Sequence, residues 1–276
     1  MQPAADTRMF ELTLDCFQKM AIYSTEITSE SDPSDSPLHQ RLLKAYILVE
    51  PLVAGEVLEA GCGEGRGVNL LINRSSNFTA LDKIEEALVT LRRKYPQGEF
   101  IRADFPPFSS MPSNRFDCIV SFQVIEHIEE DEFFLRELYR MLKPGGKAFL
   151  STPNRPLSLS RNPWHIREYT ASELNALSSR IFTKVTVQGI AGNEKVMAYH
   201  EENRKSVHRI TKWDFLDLQH RLPASVLRIP YEILNRLNRK HLKKKQTGLV
   251  ASITHEDYFL SERADEALDL FVTLEK

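Results

Sequence analysis

One segment constrains this chain more than any other: Glu56-Val-Leu-Glu59-Ala-Gly61-Cys-Gly63-Glu-Gly65-Arg-Gly67, a short apolar run opening into a stretch with almost no side-chain bulk. A buried strand that ends this way lets a ligand approach the backbone closely. A purely structural tight turn would look similar, so the neighbouring sequence has to decide. A phosphate-cradling P-loop needs Gly-Lys-Ser/Thr, which is absent. The dinucleotide fingerprint G-x-G-x-x-G fails because Arg66 or Val68 stands at the final glycine position.

The next apolar run, Phe78 to Asp82, ends about twenty residues beyond the first glycine in a carboxylate that can accept hydrogen bonds from both hydroxyls of a ribose. Dinucleotide and adenosylmethionine sites share this feature. A third run ends in Ile101-Arg-Ala-Asp104-Phe105, a carboxylate and an aromatic ring suited to an adenine amine and face. Alone, these two would read as a surface Asp and a core Phe.

Between Glu56 and Pro153 short apolar runs alternate with helical stretches, the pattern of a parallel sheet with crossover helices. Strands are expected over Glu56 to Glu59, Phe78 to Asp82, Glu99 to Ala103, Phe116 to Phe122 and Lys147 to Thr152. Helices are expected near Gly67 to Asn73, Ile84 to Tyr95, Val124 to Met141 and Ala171 to Ser179. This is a doubly wound α/β plan, whose ligand sits beyond the carboxyl ends of the strands. Upstream, Asp6 to Tyr23 reads as a helix capped by Asp6 or Thr7, Ser29 to Pro37 as a mobile loop of turn formers, and Leu38 to Glu50 as a helix ended by Pro51. Downstream, Phe182 to Gly189 and Ala267 to Glu275 read as strands. The expected units are 1–50, 51–193 for the core, 194–250 for a helical insertion, and 251–276 for the strand that completes the core.

After Phe116-Asp-Cys-Ile-Val-Ser-Phe122 comes Gln123-Val-Ile-Glu126-His127-Ile128. On a helix, Val124 and Ile128 would share one face and Gln123 and His127 another, with Glu126 and His127 about a third of a turn apart and so not a dyad. Met141-Leu-Lys-Pro-Gly-Gly146 then reads as a helix stop and turn.

Taken in order, Glu59-Ala-Gly-Cys-Gly-Glu-Gly, Asp82, Ala103-Asp104, Phe116-Asp117 with Glu126-His127, Leu142-Lys-Pro-Gly-Gly and Ser151-Thr-Pro-Asn154 resemble the class I S-adenosylmethionine-dependent methyltransferases, most of all the subgroup with the ubiquinone-pathway O-methyltransferases. The resemblance covers roughly Leu38 to Gly189 and the final strand. It implies a Rossmann-like, doubly wound seven-stranded sheet with the last strand antiparallel, and S-adenosyl-L-methionine as cofactor. It also implies that Gly61, Gly63 and Gly65 line the methionine portion and that Glu59 orders the loop. Asp82 would hold the ribose, with Lys83 beside it among the cofactor-binding positions. Asp104 and Phe105 would hold the adenine, and Gln123 the methionine end through backbone groups.

Methyl transfer from a sulfonium is an in-line displacement, so positioning and exclusion of water carry much of the rate, and a base is needed only when the acceptor must lose a proton. His127 is the first candidate base, against a histidine that only packs or bonds locally. His165 is the second, in Asn162-Pro-Trp-His-Ile-Arg-Glu168-Tyr169, where related methyltransferases often carry a Pro-x-His segment that closes over the acceptor. A loop merely anchored by its aromatics is the alternative. The expected acceptor is an oxygen or nitrogen of a small or lipid-linked molecule. A nicotinamide-dependent oxidoreductase and a non-catalytic adapter are the competing readings.

In the insertion, Val226, Ile229, Ile233, Leu234 and Leu237 are spaced for an apolar helical face, and Arg236 to Lys245 follows without an acidic residue. The segment suits an anionic membrane surface or another polyanion. A helix packed over the acceptor site with a solvated basic end is the favoured alternative, and Pro230 would kink or start a helix. The formal net charge of −2 gives no whole-molecule attraction for nucleic acid, and no base-gripping Asn-Pro-Pro-Tyr signature occurs. Cys16, Cys62 and Cys118 show neither a disulfide framework nor a metal-ligand spacing, and no apolar run suits a signal or a membrane span, which together point to the cytoplasm.

Overall fold

The computed structural model describes residues 36–212, 218–245 and 247–276. The expected helix over Asp6 to Tyr23 lies outside them, as does most of the loop before Pro37. Ser36 and Pro37 themselves open the first described helix, α1 (Ser36–Val49).

Among the described residues, eight strands form one sheet: β1 (Glu56–Ala60), β2 (Asn77–Asp82), β3 (Glu99–Arg102), β4 (Phe116–Phe122), β5 (Leu142–Pro153), β6 (Lys184–Gly192), β7 (Tyr258–Ser261) and β8 (Asp269–Glu275). Their order is β3-β2-β1-β4-β5-β8-β6-β7. The pairs among β1 to β5 are parallel, while β8 runs antiparallel to both β5 and β6. The antiparallel final strand is as expected. The count of seven is corrected to eight, because Tyr258–Ser261 adds an antiparallel edge to β6. Four residues with two exposed apolar side chains give too short a period for pattern reading.

The sheet is buried on both faces, which is why its strands read as continuous apolar runs. Val57, Cys118, Val120 and Phe149 pack on one side with α1, α2 (Val68–Ile72) and α3 (Glu85–Lys94). Leu58, Ile119, Ala148 and Leu150 pack on the other with α4 (Asp131–Met141) and α5 (Ala171–Ser178). The strand order reverses between β1 and β4, so the crevice for a ligand opens where the glycine loop and Gln123 leave these two strands.

Three further expectations need correction. The stretch from Val124 to Met141 is not one helix: Gln123 takes φ +57, a 3-10 turn covers Ile125–His127, and α4 begins only at Asp131. The second is β5, which starts at Leu142 rather than Lys147, its pairing with β4 shifting register between Phe116 and Cys118. Between β6 and β7 lie α6 (Glu194–Thr211), α7 (Leu218–Arg221), α8 (Ala224–Lys245) and α9 (Thr247–Ser252). Pro230 neither kinks α8 into two nor starts it, since the helix runs through that residue. Among the described residues, no helix is long and apolar enough to cross a membrane.

Candidate active site

The glycine loop is held by short bonds to the neighbouring strand end. Gly61 and Cys62 donate their N–H groups to the Leu81 carbonyl at 2.8 and 3.1 Å. The Gly63 N–H donates to the Asp82 carboxylate at 2.7 Å, whose other oxygen accepts from the Ile84 N–H at 3.0 Å. Gly61, Gly63 and Gly65 all take positive φ, but for different ends. A Cβ at Gly61 would lie 2.4 Å from Val124, and one at Gly65 2.3 Å from Leu91, whereas one at Gly63 would meet nothing within 4 Å. Gly63 is therefore the point where the backbone is bared to open space beside the cavity. Gly61 and Gly63 line that cavity; Gly65 is turned away to pack on α3.

Behind the loop, Glu59 is fully buried and accepts a hydrogen bond from the Tyr46 hydroxyl at 2.8 Å. Burial pushes its carboxyl up to about 8, against the Tyr46 bond that pulls it down. Its second oxygen has no partner among the described residues. A bared backbone at Gly63 and an orphaned acidic oxygen behind it fit a ligand with a cationic end, as S-adenosylmethionine has. Lys83 and Asp104 are exposed, and Phe105 stacks on Phe108 at 4.6 Å. With Asp82, they border the edge beyond β2 and β3 rather than line the cavity.

The sequence missed Tyr46 and Arg41, both of which α1 brings to the cavity. Tyr46 packs edge-on against Phe122 and leaves no room for a side chain at Gly67, where a Cβ would fall 1.7 Å from its ring. Arg41 lies 3.2 Å from Asp269, an ion pair without the alignment of a hydrogen bond. Asp269 is almost wholly buried, and burial raises it to about 6 while Arg41 opposes.

At the end of β4 the Gln123 N–H donates to the Ser151 carbonyl at 2.8 Å. The 3-10 turn that follows turns Glu126 and His127 to the same cavity, correcting the expectation that they diverge. Glu126 is fully buried, is raised by that burial, and accepts from the Thr152 hydroxyl at 2.9 Å. His127 Nδ1 lies 2.9 Å from the Trp164 carbonyl. A carbonyl only accepts, so Nδ1 carries a proton, and Nε2 is the nitrogen that holds the lone pair in the neutral ring.

His165 stands beside it, the two rings edge to face at 5.0 Å. Both of its ring nitrogens are engaged within the protein. Nε2 accepts from the Asn162 amide at 2.9 Å, and Nδ1 donates to Glu168 at 2.7 Å. The Asn162 orientation is fixed because its oxygen accepts from the Trp164 N–H at 3.0 Å. In this arrangement neither ring nitrogen of His165 has a lone pair left uncommitted. No metal-ligand set was read from the sequence, yet Glu126, His127 and His165 offer ligand atoms within 4.8 Å of one another.

The segment carrying Trp164 and His165 is tied down at both ends. Asn154 is fully buried and its amide donates to the carbonyls of Ala264, Asp265 and Ala267. Asp131 accepts from Arg167 at 2.5 Å and from the Tyr169 hydroxyl at 2.9 Å.

Together these groups enclose a cavity of 360 Å³ that runs from Gly61 and Gly63 past His127 to the insertion. The insertion contributes Tyr199, His200 and Asn203 from α6, and Tyr231, Asn235 and Asn238 from α8. Asn238 is nearly buried; it accepts from Ser206 at 2.6 Å and donates to Asn203 at 2.7 Å. Burial, and then Arg41, hold His200 down at about 4.

Residues 58–150 match a family model described as a methyltransferase domain. A probable S-adenosylmethionine-dependent methyltransferase of Mycobacterium tuberculosis is 40% identical over 129 residues, 45% of this chain and 47% of that protein. A ubiquinone biosynthesis O-methyltransferase of Xanthomonas oryzae is 29% identical over 134 residues, 46% of this chain and 56% of that protein. The chain thus spans about half the length of the curated relatives it matches. A crystal structure from Thermotoga maritima, described as a possible histamine N-methyltransferase, is similar in fold with a TM-score of 0.53. It is 16% identical, and the superposition covers 87% of this chain and 92% of that one.

Proposed function

We propose that this protein is an S-adenosylmethionine-dependent methyltransferase that acts on an oxygen or nitrogen of a polar acceptor, either a small molecule or the polar head of a lipid-linked one. The observation that carries the reading is a single cavity lined by both the bared Gly63 backbone and His127, whose Nδ1–H is committed to the Trp164 carbonyl. Gly61, Gly63, Gln123 and Glu59 hold the methionine end, while Asp82 with Lys83 holds the ribose and Asp104 with Phe105 the adenine. The bound cofactor supplies an electrophilic methyl group on a sulfonium.

The protein's own groups do the rest. His127 Nε2 accepts the proton of an acceptor hydroxyl, and the Trp164 carbonyl steadies the imidazolium through Nδ1–H. His165, locked by Asn162 and Glu168, packs against the His127 ring and fixes its orientation. Tyr199, Asn203, Tyr231 and Asn235 give this part of the wall polar atoms, which suits a hydroxyl- or amine-bearing acceptor. α1 and the insertion both line the cavity, and keeping water from the methyl group falls to them.

The test is transfer of labelled methyl from S-adenosylmethionine to a panel of hydroxyl and amine acceptors. For a hydroxyl acceptor, His127→Ala should lower the rate about 10²–10⁴-fold and leave cofactor affinity within a few fold. A His127→Ala variant that keeps the full rate would remove the base from the mechanism.

A further inference from the structure

We infer that α8 is a docking helix for an anionic lipid surface, a property that stands apart from methyl transfer. A surface helix ordinarily turns its apolar stripe to the protein. This one turns it out. Val226, Ile229, Ile233 and Leu237 are 55, 62, 42 and 59% exposed. At about 100° per residue they fall in one narrow band, with Leu234 at its edge. Tyr231, Asn235 and Asn238, which line the cavity, lie on the opposite side of the same helix. The polar face is thus spent on the site and the apolar face is left outward.

The charge on the helix selects the occupant. From Ala224 to Lys245 the sequence carries Arg228, Arg236, Arg239, Lys240, Lys243, Lys244 and Lys245 against the single acid Glu232, in a chain of net charge −2. Glu232 accepts from the Trp164 indole N–H at 3.1 Å, and Arg228 sits over the same ring at 4.3 Å, so this end of the helix is fastened to the loop beside the site. A two-fold contact with a second copy would set cationic helices against one another. An anionic bilayer offers an apolar interior and a negative surface together. So many cations bar the helix from spanning, and it lies in the interface with the cavity wall on its protein side.

Flotation of the full-length protein with vesicles tests the inference, using phosphatidylcholine alone and an equimolar mixture of phosphatidylcholine and phosphatidylglycerol. The wild-type protein should float with the mixture at low salt, much less at high salt, and not with phosphatidylcholine alone. Ile229→Asp/Ile233→Asp and Lys243→Glu/Lys244→Glu should each lower the bound fraction by roughly an order of magnitude while keeping the thermal midpoint. Failure of the wild-type protein to float with the mixture would overturn the inference, as would unchanged flotation of Ile229→Asp/Ile233→Asp. A dimer that Ile229→Asp/Ile233→Asp splits, without flotation, would overturn it in favour of a second copy. None of these outcomes depends on cofactor binding or methyl transfer.

Discussion

Glu59 is the residue whose protonation should report most directly on the ligand. Buried and raised to about 8, its carboxyl is largely protonated at pH 7 in the free protein. A cationic ligand end at the glycine loop favours the carboxylate. Binding of S-adenosylmethionine should therefore release up to one proton near pH 7, measured as the dependence of binding enthalpy on buffer ionisation, and Glu59→Gln should abolish the release. An equal release from Glu59→Gln would assign the proton elsewhere. At this scale the sequence was informative where chemistry is local. The glycines and Asp82 sit within one strand–loop–strand unit, and their bonds join neighbouring strand ends. Tyr46, Arg41, Asn203 and Asn235 left no such signal, because each reaches the cavity from a helix remote in sequence.

The loop over 154–170 is the element on which the proposed base depends, since it supplies the Trp164 carbonyl to His127. Its anchor is Asn154, whose amide shares its two N–H donors among three carbonyls ahead of β8. Replacing it with Ala leaves buried acceptors unpaired at a cost of about 1–3 kcal/mol each at most. Asn154→Ala should lower the thermal midpoint by several degrees and slow methyl transfer more than it weakens cofactor binding; a midpoint within error of the wild type would contradict the anchoring role. The parallel strands were legible because both faces are buried. The passage from β4 to α4 was not: Val124, Ile128 and the apolar residues of α4 continue a helical period, and nothing in that period announces the positive φ of Gln123. The outward apolar face of α8 was legible as a stripe but not in its direction, since periodicity gives a face and not the side it turns to.

For the molecule as a whole, Asp269 and His200 are two among the buried groups that make stability depend on pH, and they act in opposite directions. Asp269 is raised from 3.8 to about 6, so its contribution is full below pH 4 and is lost as pH rises through 6. His200 is lowered from 6.5 to about 4, so its contribution is full above pH 6.5 and is lost as pH falls through 4. Between roughly pH 4 and 6 the two slopes oppose, each limited to about 1.4 kcal/mol per pH unit. Urea unfolding of Asp269→Asn across this range should show stability rising more steeply with pH than in the wild type, and His200→Asn should show it falling. Parallel curves for all three proteins would contradict the assignment.

Whether the glycine loop and its neighbours form an S-adenosylmethionine site is decided by calorimetric titration with S-adenosylmethionine, S-adenosylhomocysteine and NAD. Both adenosyl sulfur compounds should bind at micromolar concentration and NAD not at all, with binding lost in Gly63→Val, whose side chain would occupy the bared space at a backbone cost of about 1–2 kcal/mol. Binding of NAD, or of no ligand by the folded protein, would rule that site out.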